Sequence, residues 1–185
     1  MENRKASRRL SYIFLALIIL AGICRFSYGF FVQKEGAHSD ETWSFGLANS
    51  YYDPYIQYSD DTSEYRNVDT WITSDVFRDY LTVQKGERFS FGSVYYNMSC
   101  DTHPPLYFML LHFLCSFFPG KYMFVIGFII NMAAYTILSI FIYKLLLLIT
   151  KSEAASLIGV LFSTFSLGML NMTMFVRMYL CVAAV

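Results

Sequence analysis

Residues 122–149 read YMFVIGFIINMAAYTILSIFIYKLLLLI, 28 positions with one charge, Lys144. As helix this run is about 42 Å long, more than a hydrocarbon core of roughly 30 Å needs. A helix on the surface of a water-soluble domain keeps a polar face, and this one has none. The run sets the fold class as an all-α polytopic membrane protein, and the rest of the chain is read outward from it.

Upstream, Leu10 to Cys24 is apolar without a charge. Those 15 residues make about 22 Å of helix, too short to cross alone. Beyond Arg25 the aromatic and apolar residues Phe26 to Val32 continue it. The expectation is one helix over 10–32, with Arg25 snorkelling to the headgroups or facing protein. Residues 1–9, with Arg4, Lys5, Arg8 and Arg9, form a basic leader that predicts a cytoplasmic N-terminus. Downstream, Lys151-Ser152-Glu153 is a turn, and Ala154 to about Val176 is a further apolar run. The chain ends at Val185 inside another. Residues 104–185 are therefore expected to form the hydrophobic helices of a bundle, and the chain to be the front part of a longer protein.

Between the first two runs lies the long polar segment 33–103. Twelve of the fourteen acidic residues fall there against five basic ones, a net charge of −7. An acidic loop excludes nucleic acid as a partner, because its binders need a basic face. Tyr51–Tyr55 and Tyr58–Thr62 have turn composition. Trp71, Ile72, Val76, Tyr80 and Leu81 recur at helical spacing, which predicts an amphipathic helix near 68–83, lying on the membrane surface or packed on the loop. The four cysteines show no metal-ligand spacing, and Cys100, the one within the loop, reads as a small buried residue. Asn97-Met98-Ser99 and Asn171-Met172-Thr173 match the glycosylation sequon.

Two motifs bracket the loop. His38-Ser39-Asp40-Glu41 opens it, and Asp101-Thr102-His103-Pro104-Pro105-Leu106-Tyr107 closes it. Adjacent carboxylates beside a helix end are either plain surface residues or a general base, whose basicity rises with desolvation and with a like-charged neighbour. The prolines suit the first turn of a helix but leave the pairing of Asp101 with His103 unexplained. Arg177, amid apolar residues, is either a snorkelling side chain or a clamp for phosphate oxygens.

The order DE, then D-x-HPPLY, then the Phe175–Tyr179 segment F-x-R-M-Y resembles the polytopic GT-C glycosyltransferases. It is most similar to the bacterial protein-mannosyltransferase-like members of family 39, with the lipid A aminoarabinose transferases among their relatives. The resemblance covers the N-terminal portion of such a protein. It implies a GT-C-like transmembrane helix bundle with one long external loop, in a bacterial plasma membrane. It also implies transfer of a sugar from a polyprenyl-phosphate donor in the lipid to an external acceptor, with inversion. In that reading Asp40 is the base, Glu41 the second acidic residue, Asp101 and His103 line the site, and Arg177 holds the donor phosphate. No resident cofactor is implied, a divalent metal remains open, and the chain is expected to be inactive by itself. The reading from another class is a non-catalytic polytopic protein, a transporter subunit or scaffold with an acidic external loop.

Counting crossings exposes a conflict. If Pro104 to Phe118 crosses, Arg177 ends on the cytoplasmic side and Lys144 and Lys151 outside, against the positive-inside tendency. At about 22 Å, the segment is short enough to stop part-way, which would remove the conflict.

Overall fold

The computed structural model describes residues 2–56 and 71–184. Tyr58–Thr62 and the first residues of the helix expected over 68–83 lie outside them. Among the described residues every regular element is helical. The chain forms two compact units, residues 1–35 with 128–185, and residues 36–127.

The first unit is built on long apolar helices. Helix α1 (Glu2–Tyr28) continues as a π-helical turn, Gly29–Gln33. Helix α6 (Phe124–Thr150) is the run quoted above, and its residues from Phe128 onward belong here. Arg8–Gln33 and Phe124–Thr150 are each long and apolar enough to cross a bilayer. The third apolar run is not one straight helix. It is α7 (Glu153–Phe165) and α8 (Leu167–Met174), bent 57° at Ser166. The pair counts as a third span only if taken together. A short α9 (Tyr179–Ala184) follows.

Side-chain contacts fix the directions. Along α1 and α6, Tyr12 meets Tyr143, Phe26 meets Tyr135 edge-on at 4.9 Å between centroids, and Phe30 stacks on Phe128. Numbers rise on one helix as they fall on the other, so the two are antiparallel. Against α7 and α8, Ser11 donates to Glu153, Arg25 Nη1 donates to the Thr164 carbonyl at 3.1 Å, and Lys34 Nζ to that of Met174 at 2.9 Å. Here the numbers rise together, so α7 and α8 run with α1. Gly22 allows the close approach: a Cβ there would overlap the Tyr135 hydroxyl.

This arrangement has two ends. One gathers Ser11, Tyr143 and Glu153, the other Lys34, Phe128 and the 174–177 segment. The chain leaves this unit after Glu35 and rejoins it at Phe128, at the same end. Arg25 faces protein, its guanidinium 5.6 Å from the rings of both Phe26 and Phe165.

The second unit corrects the expectation of a loop over 33–103, because much of it is helix. Helix α2 (Ser39–Asn49) packs on α3 (Ser74–Leu81), α4 (Phe91–Ser99) and α5 (Leu106–Cys115). The helix expected over 68–83 is the shorter α3, capped by Thr73. Trp71 and Ile72 precede it, and Trp71 is fully exposed. Its Tyr80 and Leu81 are buried against α2, which Gly46 permits: a Cβ there would overlap the Tyr80 ring. The boundary drawn at 103 moves too. Helix α5, with its buried Tyr107, Phe108, Leu111 and Cys115, belongs to this unit. Asn97 is fully buried, its amide donating to the Leu47 and Ser50 carbonyls, so the first sequon is not presented for modification. Cys100, expected to be buried, is exposed.

Candidate functional site

Asp40 and Glu41 share the first turn of α2 but not an environment. His38 is the N-cap, and its Nδ1 accepts from the Asp40 amide at 3.2 Å. The Glu41 carboxylate reaches back to accept from the His38 amide at 2.7 Å. This reciprocal capping box serves two amides that the helix start leaves without partners. It also consumes Glu41, which is fully buried. Tyr122 lies near enough for the Glu41 charge to matter: burial first, then Glu41, pushes its phenol up to about 12. Asp40 is half-buried at the same helix start, where the helix dipole favours a negative charge. Ser44 Oγ donates to its carbonyl at 2.9 Å, which holds the turn rather than the carboxylate. Of the two acidic residues, Asp40 is the more exposed.

At the other motif, His103 Nδ1 lies 3.0 Å from Asp101 Oδ2, and the Thr102 amide donates to Asp101 Oδ1 at 2.7 Å. Both carboxylate oxygens are engaged within three residues. An acceptor at Nδ1 makes that nitrogen the protonated one in a neutral ring, and the lone pair then lies on Nε2. Asp101 thus orients His103. The pair is partly buried, with side chains 17% and 23% exposed. Pro105 directly precedes α5, as the helix-start reading requires.

The surroundings are aromatic. Tyr55 donates from its hydroxyl to the Cys100 carbonyl at 2.6 Å and packs on Trp43. Tyr80 donates to the Pro54 carbonyl at 3.0 Å, and burial, with Asp53 next, pushes its phenol well above the usual range. It is a structural donor, not a proton carrier near neutral pH.

Arg177 belongs to the other unit. It sits between α8 and α9, half-buried, with its amide donating to the Phe175 carbonyl at 2.8 Å and its guanidinium 5.8 Å from the Tyr179 ring. The structure therefore brings Asp101 and His103 together, and gathers them with Asp40 and Glu41 in one unit. It places Arg177 in the bundle, at the end that carries Lys34 and Phe128. Asn131 was missed by sequence reading. It is fully buried, and its amide donates to the Thr173 and Phe175 carbonyls at 3.1 and 2.8 Å, fixing the backbone that presents Arg177. Its signal was present: an amide inside a 28-residue apolar run. Among the described residues no three His, Cys, Asp or Glu side chains converge on a metal site.

Comparison with protein families, with curated proteins and with solved structures finds no match to this chain.

Proposed function

We propose that this chain is part of a membrane glycosyltransferase of the GT-C type, moving a sugar from a polyprenyl-phosphate donor to an acceptor hydroxyl outside the membrane. The observation that carries the reading is the division of labour in the acidic pair. Glu41 is buried in the helix cap, whereas Asp40, in the same compact unit as the oriented His103, keeps part of its surface exposed. Asp40 takes the proton of the acceptor hydroxyl as its oxygen attacks the anomeric carbon. The bond from that carbon to the phosphate breaks, and polyprenyl phosphate leaves. His103, oriented by Asp101 in that same unit, positions a sugar hydroxyl.

Sidedness supports it. The bundle end that holds Tyr143 and Glu153 also carries the basic leader, Lys144 and Lys151, which the positive-inside tendency assigns to the cytoplasm. The opposite end, with Arg177 and the points where 36–127 departs and returns, is then external. A donor that stays in lipid while its sugar meets water needs its site at that surface.

The test is Asp40→Asn, introduced at the native locus with the membrane level of the protein checked. Sugar transfer to the surface acceptor is expected to be lost. Transfer at the original rate overturns the assignment and favours a non-catalytic membrane protein.

A further inference from the structure

Helix α5 is apolar on both faces. Its inner face packs on α2 and α4. Its outer face carries Leu106, Leu110 and Phe113, followed by Phe117. Steps of four, three and four residues keep them in one line. Each is between 41% and 68% exposed. The helix has one imidazole, His112. It is turned inward, edge-on to Phe91, and is 2% exposed. A helix washed by water carries its polar groups outward, and α5 does the reverse.

The stripe is wider than one helix. Phe89 joins it, with ring centroids 5.9 Å from Phe113 and 5.4 Å from Phe117, and those two are 5.3 Å apart. A cation sits at its edge: Arg88 lies 5.2 Å from the Phe89 centroid, fixed there by donating from Nε to the Ser116 carbonyl at 2.7 Å. Lys121 follows a few residues on and is exposed. Ten residues of helix reach about 15 Å, half a hydrocarbon core, so α5 is too short to cross.

We propose that this stripe is a membrane-interfacial surface whose partner is an anionic phospholipid leaflet. Its Leu and Phe side chains enter the acyl boundary, and Arg88 and Lys121 stand at the phosphates. Two observations favour lipid as the occupant. Cationic residues border an apolar stripe, matching a negatively charged headgroup layer. And α5 ends only nine residues before Phe124, where a span begins, a tether of at most roughly 30 Å. The proposal rests on the spans and not on the transferase reading, so either can fail alone.

The experiment uses the full chain, with its native cysteines replaced, in nanodiscs of phosphatidylglycerol and phosphatidylcholine. Single bimane-labelled cysteines stand at Leu106, Leu110, Phe113 or Phe117, and at Tyr95, an exposed position of α4. Circular dichroism selects the variants that keep their helix content. Lipids brominated near the headgroup are expected to quench the stripe positions several-fold more than position 95, at one common depth. The added Lys121→Gln change should weaken quenching in phosphatidylglycerol and not in pure phosphatidylcholine. Stripe positions as open to an impermeant maleimide as position 95 overturn the proposal. So does a depth that changes steadily from 106 to 117, the mark of a crossing helix. Protection that appears in lipid-free detergent and rises with protein concentration means a second copy, and overturns it equally.

Discussion

The rings of Phe30 and Phe128 lie face to face, 4.2 Å between centroids and 16° between planes. One belongs to the end of the first span, the other to the beginning of the second, so the hairpin they close is antiparallel. Cysteines replacing Glu35 and Lys121 are expected to react with an impermeant reagent from one side of the membrane, and one replacing Lys151 from the other, the side of the N-terminus. Labelling of positions 121 and 151 from the same side would contradict the contact.

Asp40 and Glu41 should separate cleanly. Glu41→Ala removes one arm of the capping box and leaves a buried gap, a loss of at least about 1 kcal/mol. Asp40→Asn should leave the unfolding free energy within about 0.5 kcal/mol of the parent and lower transfer by about a hundredfold or more. Denaturant melts in detergent, set beside transfer assays, distinguish them. Equal destabilisation by both would mean that Asp40 is structural.

Asn131 serves two carbonyls at the end of α8. Asn131→Leu takes a buried donor from both, leaving the Phe175 carbonyl its bond from the Arg177 amide, and should cost about 2 kcal/mol. Because the same carbonyls anchor the segment holding Arg177, donor binding is expected to weaken with it. The conservative Asn131→Gln should recover part of both. A Leu variant that melts like the parent would show that those carbonyls find water instead.

Glu87 supplies a pH dependence. Burial, with Asp79 adding, raises its carboxyl above the usual value, against a partial lowering by the Gln84 amide. A raised carboxyl means that the folded state resists its ionisation. Stability is therefore greatest below the unfolded value near 4.5 and falls as pH climbs through the higher folded one. Comparing denaturation at mildly acid and neutral pH should show this loss, and Glu87→Gln should flatten it. An unchanged slope in the Gln variant would assign the dependence to other groups.

The spans were legible because length and apolarity alone identify them. The break at Ser166 was not. Ser163-Thr164-Phe165-Ser166 contains no proline, glycine or charge, and the side chain on the Thr164 carbonyl, Arg25, lies far off in sequence. The Asp101–His103 pair was readable because two residues of separation force proximity. The fate of Glu41 was hidden by its partner: a capping box is usually recognised from Ser or Thr at the N-cap, and here a histidine stands there. Segment 33–103 read as loop because its helices are short and carry little apolar periodicity outside α3.

The long-range polar latches on α7 and α8 have a temporal order. Every donor, from Arg25, Lys34 and Asn131, is synthesised before every acceptor, the carbonyls of Thr164, Met174, Thr173 and Phe175. The third apolar segment thus emerges from the ribosome into lipid where its backbone partners already wait. A bent helix of that kind is a poor autonomous insertion unit, because its unserved carbonyls would face hydrocarbon. Its integration is expected to be a late, assisted step of biogenesis, dependent on the hairpin made before it.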